Sequence, residues 1–156
     1  KNNFLITQNI DGLHQKSGIP KNKMIEIHGN AIEAACLECG AKQNITDFHD
    51  AIKTKKQLPR CTVCNGTVKV ATISFGQPMN EEDMEKASNI VEDSDLMIVM
   101  GSSLKVLPAG KLPNLAMQSG SKLVILNREK TRYDSIADMV INDELQNICS
   151  GLIQKL

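Results

Sequence analysis

The chain is poor in aromatic residues and has no net charge. Aromatic side chains make up 3% of its 156 residues, Trp is absent, and 18 Lys and Arg residues balance 18 Asp and Glu residues. Proteins that bind nucleic acids directly use a basic surface, often with aromatic rings that stack on the bases. This composition therefore argues against direct binding of nucleic acid.

Long hydrophobic runs are also missing. No apolar stretch approaches the roughly 20 residues of a transmembrane helix, and the first residues, Lys1 to Asn3, do not lead into a signal-peptide core. The sequence thus predicts no membrane contact and an intracellular protein, with the cytoplasm preferred over the nucleus. Its length suits one domain with a hydrophobic core and a small insertion.

Short apolar runs alternate with helical patterns along most of the chain. This alternation predicts an α/β fold, in which a parallel sheet is covered by helices. The run from Leu96 to Met100 is apolar without alternation, which predicts a strand covered on both faces. The predicted strands are Phe4 to Thr7, Met24 to Ile27, Val70 to Phe75, Leu96 to Met100 and Leu123 to Leu126. The predicted helical segments are Glu81 to Glu92, Ala109 to Ser119, a short turn at Asp134 to Ala137, and Glu144 to Lys155.

Four of the five cysteines form two Cys-x-x-Cys pairs, Cys36 with Cys39 and Cys61 with Cys64. Two such pairs that converge can supply four thiolates to a structural zinc ion. Two disulfides are disfavoured because the chain has no secretory features, and redox-active pairs are the other alternative. Four ligands leave no open coordination position, so the zinc is expected to stabilise the fold and not to catalyse. Cys149 is predicted to be a small core residue.

Small and polar residues follow each predicted strand. In open α/β sheets, ligands bind beyond the carboxyl ends of the strands. Each cluster alone also fits an ordinary turn, but all five together predict one ligand-binding cleft. The clusters are Gln8 to Gly12, His28-Gly29, Phe75-Gly76-Gln77, Gly101-Ser102-Ser103 and Asn127-Arg128-Glu129.

The order and spacing of these clusters and of the two cysteine pairs resemble the sirtuins, which are NAD-dependent protein lysine deacylases. The resemblance covers essentially the whole chain. It implies a Rossmann-like NAD-binding core formed by residues 1–30 and 71–156, with a zinc-ribbon module inserted at residues 31–70.

The same resemblance implies roles for individual residues. In sirtuins the acyl oxygen of lysine attacks the ribose carbon of NAD as nicotinamide leaves, and a histidine then activates a ribose hydroxyl. His28 matches that general base, and Asn9 is the second catalytic residue. The positions that match NAD contacts are Gln8, Asn9, Asp11, Gly101, Ser102, Ser103, Asn127 and Glu129. The positions that match the acyl-lysine peptide site are Ile73, Phe75, Gly76 and Gln77 on one edge and Leu104, Lys105 and Val106 on the other.

The chain departs from the sirtuin pattern at three places. Val70 stands where a proline is usual, and Gln77 replaces a common glutamate, which changes the charge of the peptide edge. Sirtuins also carry a first strand and a glycine-rich phosphate-binding turn ahead of the Thr7-Gln8-Asn9 motif, whereas here no two of the 10 glycines are separated by a single residue. We therefore expect the C-terminal portion of a sirtuin, with a sheet incomplete on its N-terminal side. By itself it is expected to bind NAD poorly, to deacylate little and to expose a sheet surface that could dimerise.

Two other functions remain open. One is a zinc-stabilised binding module without catalysis. The other is NAD-dependent ADP-ribosyl transfer to a protein acceptor.

Overall fold

A computed structural model describes residues 3–54 and 57–154. The chain divides into two compact units, residues 1–83 and 84–156, which are described one at a time. The first unit opens with a parallel pair of strands, β1 (Leu5–Thr7) and β2 (Met24–Glu26), in which Leu5 lies opposite Met24. A short helix, α1 (Leu13–Lys16), and a 3-10 turn at Lys21–Lys23 connect them. Parallel pairing places the carboxyl ends of both strands side by side.

A three-stranded antiparallel sheet forms the rest of the first unit. Its strands are β3 (Gly29–Cys36), β4 (Lys42–Asn44) and β5 (Val68–Thr72), with β3 in the middle. A 3-10 turn at Ile45–Phe48 and helix α2 (His49–Lys53) follow β4. The small core of this sheet contains Ala34, Cys36, Phe48, Cys61 and Val68. Two of these five core residues are cysteines, so the metal-ligand positions lie within the packing of the unit.

Helix α3 (Glu81–Glu92) begins at the end of the first unit and continues into the second. The Asn80 side chain caps it by accepting a hydrogen bond from the amide of Asp83 (2.9 Å). Its first turn carries Glu81, Glu82 and Asp83, which suit the positive end of the helix dipole. The predicted helix from Glu81 to Glu92 is therefore confirmed.

The second unit is built on a parallel sheet. Strands β6 (Leu96–Met100), β7 (Lys122–Leu126) and β8 (Met139–Ile141) lie in that order. A 3-10 turn at Ala109–Lys111 and helix α4 (Leu112–Gln118) connect β6 to β7. The last described element is helix α5 (Leu145–Ile153), and the predicted helix end at Lys155 lies outside the described residues. The parallel strands and their helices confirm the predicted α/β class.

One face of this sheet is packed and the other is half exposed. The packed face contributes to a core of Val99, Leu104, Leu123, Ile125 and Tyr133. On the other face of β6, Leu96, Ile98 and Met100 are 50%, 51% and 49% exposed. The prediction that β6 is covered on both faces is therefore wrong for the described residues. Because successive side chains of a strand point to opposite faces, an apolar strand that packs on one face leaves alternate residues open.

Two further predictions need correction. The strand predicted from Val70 to Phe75 is β5, and it pairs antiparallel with β3 instead of joining a parallel sheet. This pairing places Val68 opposite Cys36, which draws the second cysteine pair toward the first. The segment predicted as a helical turn at Asp134 to Ala137 has turn structure without a helix. There the Asp134 carboxylate accepts hydrogen bonds from the amide and the hydroxyl of Thr131.

Within the described part of the chain, no helix combines the length and the hydrophobicity that crossing a bilayer requires.

Candidate functional site

The four predicted metal ligands converge in the first unit. The Sγ atoms of Cys36, Cys39, Cys61 and Cys64 all lie within 4.8 Å of one another. The Cys36 and Cys64 sulfurs are 3.5 Å apart, and those of Cys39 and Cys61 are 3.7 Å apart. Four sulfurs at about 2.3 Å from one zinc ion form a tetrahedron with edges of about 3.8 Å. The arrangement therefore fits a four-coordinate structural zinc ion.

Tight turns bring the sulfurs into range of main-chain amides. The Gly40 amide donates to the Cys36 oxygen (3.1 Å), and the Asn65 amide donates to the Cys61 oxygen (2.9 Å). Within these turns, the Cys39 amide lies 3.5 Å from the Cys36 sulfur and the Val63 amide 3.4 Å from the Cys61 sulfur. Amide donors of this kind stabilise thiolates and orient them toward a metal.

The thiols of Cys36 and Cys61 differ in their tendency to ionise. The amides of Cys64 and Val63 lower the pKa of the Cys61 thiol to about 6. The Cys39 amide lowers the pKa of Cys36, but burial and the neighbouring thiols of Cys64 and Cys39 raise it, and the net result is about 12. Crowded thiolates repel one another, so all four lose their protons together only when a cation supplies opposite charge. The donor set thus suits a divalent metal and not four isolated thiols.

A glutamine that no sequence motif marks completes the surroundings of this site. The Gln43 side chain donates from Nε2 to the Cys61 sulfur (3.2 Å). Its Oε1 accepts from the amide (3.1 Å) and the hydroxyl (2.9 Å) of Thr62. Gln43 lies on β4, so it attaches the second cysteine turn to the sheet that carries the first.

The predicted base, His28, lies in the turn between β2 and β3 and is half-buried. Its Nδ1 atom is 3.1 Å from the main-chain oxygen of Gln8, which follows β1. A carbonyl oxygen can only accept, so in the neutral ring Nδ1 carries the proton and Nε2 carries the lone pair. This is the tautomer that a general base needs at Nε2.

Gly29, directly after His28, allows a close approach of two strands. Its φ is 71°, and a Cβ atom there would overlap the main-chain oxygen of Ala71 on β5. The His28 oxygen in turn accepts a hydrogen bond from the Ile73 amide (2.9 Å). The turn that carries the base is therefore tied to the segment that follows β5.

Hydrogen bonds from three main-chain amides hold the loop that follows β1. The buried Thr7 hydroxyl accepts from the Asn9 amide (3.0 Å), and the Asp11 carboxylate accepts from the Leu13 amide (3.0 Å). The Ile10 oxygen accepts from the Ala31 amide (2.8 Å). The loop therefore stays beside His28 while the residues Asn9 and Asp11 remain exposed.

Of the predicted peptide residues of the first unit, Ile73 is half-buried, and Phe75 to Gln77 lie in an exposed loop. Phe75 is 99% exposed. The Gln77 Oε1 atom accepts from the Lys69 ammonium group (2.7 Å) and from the Ser74 amide (2.9 Å). Lys69 thus places a positive charge next to Gln77. Gln77 is the position at which sirtuins commonly have a glutamate.

The predicted cofactor residues of the second unit lie together at the carboxyl ends of its parallel strands. The Gly101 amide donates to the Leu126 oxygen (3.0 Å), and the Asn127 amide donates to the Ile141 oxygen (3.1 Å). Asn127 is buried and donates from Nδ2 to the Glu129 oxygen (2.6 Å). The structure therefore brings Gly101 to Ser103 and Asn127 to Glu129 to one edge of one sheet.

The second unit has parallel strands with small and polar residues at their carboxyl ends, which is the architecture typical of nucleotide-binding α/β folds. The first unit has four cysteines placed as in structural zinc sites. The model of one family, the Sir2 family, matches residues 1–108. The chain belongs to the Sir2 family.

Two bacterial relatives illustrate the similarity. The NAD-dependent protein deacetylase of Rhodopseudomonas palustris is 44% identical over 141 residues, which make up 90% of this chain and 56% of the relative. NAD-dependent protein deacetylase 1 of Bradyrhizobium diazoefficiens is 47% identical over 141 residues, or 90% of this chain and 55% of the relative. The chain therefore spans little more than half the length of these relatives.

Solved structures agree with this assignment. Sir2Tm bound to a propionylated peptide superimposes with a TM-score of 0.88 at 35% identity, over 97% of this chain and 63% of that one. A complex described as Sir2, p53 peptide and NAD⁺ gives a TM-score of 0.86 at 35% identity, over 97% of this chain and 62% of that one. The resemblance to sirtuins inferred from the sequence is confirmed.

Proposed function

We propose that this chain is the portion of an NAD-dependent protein lysine deacylase that carries the general base, the nicotinamide loop and the zinc module. The observation that supports it most directly is the hydrogen bond from His28 Nδ1 to the Gln8 oxygen, which leaves Nε2 as the proton acceptor. Relatives named as NAD-dependent protein deacetylases and the likeness to peptide-bound structures support the same proposal. The substrates are an acyl-lysine peptide, NAD and one water molecule, and the products are free lysine, nicotinamide and O-acyl-ADP-ribose.

NAD supplies an electrophilic ribose carbon and a good leaving group. In our proposal the exposed Asn9 and Asp11 side chains bind the carboxamide of nicotinamide, since an amide and a carboxylate match its acceptor and donors. Gln8 contacts the ribose, and His28 Nε2 takes the proton of a ribose hydroxyl. The charged imidazolium that results keeps its Nδ1–H bond to the Gln8 oxygen, which stabilises it.

The remaining residues have proposed roles in binding. Residues 1–30 and 71–156 form the NAD-binding core, and residues 31–70 form the zinc module, in which four thiolates hold a structural zinc ion. On the second unit, we assign the adenosine side of NAD to Gly101, Ser102, Ser103, Asn127 and Glu129. The acyl-lysine peptide is assigned to Ile73, Phe75, Gly76 and Gln77 in the first unit and to Leu104, Lys105 and Val106 in the second.

Location and assembly are part of the proposal. Four cysteines that hold zinc as thiolates need a reducing compartment, which supports an intracellular protein. The half-exposed side chains of Leu96, Ile98 and Met100 form an apolar sheet face through which two copies could associate. Sedimentation of the wild-type chain and of Ile98→Glu tests self-association: loss of a dimer in the variant supports it, and a monomeric wild type excludes it.

The activity is tested in a chimera, in which these 156 residues replace the matching segment of the Rhodopseudomonas palustris relative. The chimera is incubated with NAD and an acetyl-lysine peptide, and the products are identified by mass spectrometry. Nicotinamide, deacetylated peptide and O-acetyl-ADP-ribose in equal amounts support deacylation. ADP-ribose attached to protein would indicate transfer instead, and peptide binding without nicotinamide release would indicate a non-catalytic binding module.

A further inference from the structure

Arg132 connects the two ends of the loop that follows β6. Its Nη2 atom donates to the main-chain oxygens of Leu104 (2.5 Å) and Gly110 (3.0 Å). Its guanidinium group lies 5.2 Å from the ring centroid of Tyr133, and the Tyr133 hydroxyl donates to the same Gly110 oxygen (2.9 Å). One side chain therefore joins two points that enclose the exposed residues 105–108.

The main chain is in an unfavourable conformation at Leu104, and at Gly110 it is closely approached by a carbonyl oxygen. Leu104 has φ of 57°, a left-handed conformation that is unfavourable for a residue with a Cβ atom, although its side chain is buried in the core. At the other end, a Cβ atom on Gly110 would overlap the Leu104 oxygen. Such a conformation persists when surrounding contacts hold it, and the two hydrogen bonds from Arg132 are contacts of that kind.

Proposed binding residues precede this loop and form part of it. Gly101 to Ser103 come before it, Leu104 is its first anchor point, and Lys105 and Val106 are its first exposed residues. Arg132 follows Asn127 to Glu129 on the next strand end of the same sheet. The Gly110 amide also donates to the Val106 oxygen (2.8 Å), so the anchored end at Gly110 directly restrains the loop tip.

We infer that Arg132 is a positioning residue, which holds the main chain of Leu104 to Val106 ready to receive an extended acyl-lysine peptide. The inference has two parts. The loop part, that Arg132 orders residues 104–106, rests on the contacts described above, and the peptide part, that this order favours peptide binding, rests on the proposed function. A loop that is ordered before binding loses less conformational entropy when the peptide binds. Arg132 is therefore expected to strengthen peptide binding. Arg132 does not touch the reacting atoms in this proposal, and the chemical step proceeds without it.

The loop part is tested by amide hydrogen exchange in the 156-residue chain with Arg132→Ala. We expect the Leu104, Gly110 and Lys111 amides to exchange roughly tenfold faster, because the charged donor that closes the loop is lost. Amides of β7 should keep their wild-type rates. Lys122→Ala is the matched control, since Lys122 is an exposed cation of the same unit that pairs with Asp138. Unchanged loop exchange, or an equal increase throughout the unit, would overturn the inference.

The peptide part is tested by steady-state kinetics of the chimera with and without Arg132→Ala. We expect the KM for the peptide to rise about tenfold, while kcat changes by less than about twofold. Millimolar guanidinium ion should partly restore the KM of Arg132→Ala and leave wild type unchanged. An unchanged KM, or a loss confined to kcat, contradicts the positioning role. A chimera that releases no nicotinamide refutes the proposed function, and the exchange experiment then decides the role of Arg132 alone.

Discussion

The Nδ1 atom of His28 lies 3.1 Å from the main-chain oxygen of Gln8. The two residues are 20 positions apart, and the parallel pairing of β1 with β2 brings them together at the ends of adjacent strands. The bond fixes both the direction of the ring and the nitrogen that carries the proton. A loop proposed to hold nicotinamide thus also prepares the proposed base.

That loop should depend on the buried Thr7 hydroxyl. Thr7→Val keeps the shape of the side chain and removes the acceptor for the Asn9 amide. We expect a loss of about 1 kcal/mol in the free energy of unfolding of the first unit. Urea unfolding followed by far-UV circular dichroism measures it. Thr7→Ser keeps the hydroxyl, so its free energy of unfolding should fall much less. Equal decreases in the two variants would show that the effect comes from packing and not from the hydrogen bond.

Removal of zinc should unfold the first unit and leave the second intact. Cys36 and Cys61 belong to the core that also contains Ala34, Phe48 and Val68, so loss of the metal removes the bonds that join this core to the two cysteine turns. Cys39→Ser should reduce bound zinc well below one ion per chain, as measured by colorimetric titration after denaturation. Cys149→Ser, which lies outside the cluster, should keep full zinc content. A Cys39→Ser variant with full zinc content would contradict the four-cysteine site.

Gln43 should slow the release of zinc. Its Nε2 donor supports the Cys61 thiolate, and its Oε1 atom fixes the position of Thr62. Loss of an outer-shell partner typically weakens metal binding by roughly 10–100-fold. Gln43→Ala should therefore transfer zinc to a chelator at least about tenfold faster, whereas Lys42→Ala on the same strand should match wild type. Equal rates for both variants would show that Gln43 has no effect on the metal.

The second unit should lose stability in acid through Asp138. The Lys122 side chain and then the Leu123 amide lower the pKa of Asp138 below its ordinary value of 3.8. Between the lowered pKa and 3.8 the unfolded chain binds more protons than the folded one, so stability falls as the pH falls through this range. Urea midpoints measured at decreasing pH should converge for wild type and Asp138→Asn. A constant difference between their midpoints at every pH would contradict this.

The features predicted correctly are those in which the signal is local. The two cysteine pairs, the helix from Glu81 to Glu92 and the strand from Leu96 to Met100 are each indicated by residues that are close in the sequence. The antiparallel sheet of β3, β4 and β5 depends instead on pairing between distant segments. β4 has three polar residues, Lys42–Asn44, and gives no hydrophobic pattern.

Long-range contacts of the Arg132 and Gln43 side chains could not be predicted from the sequence either. Arg132 donates to main-chain oxygens that are 28 and 22 residues away in the sequence. Because every residue has such an oxygen, the residue types at the two acceptor positions give no sign of the contact. Gln43 likewise reaches Cys61 because β4 pairs with β3, which the sequence pattern did not indicate. Motifs predict the candidate site residues, whereas the fold shows which residues contact and support them.

The most direct test of the proposed chemistry is the behaviour of His28→Ala in the chimera. Nicotinamide departure precedes the use of the base, so we expect exchange of labelled nicotinamide into NAD to continue while deacetylated peptide falls by roughly a hundredfold or more. His14→Ala, which alters a histidine without a proposed role, should match wild type in both measurements. Formation of deacetylated peptide by His28→Ala at the wild-type rate would contradict the assignment of His28 as the base.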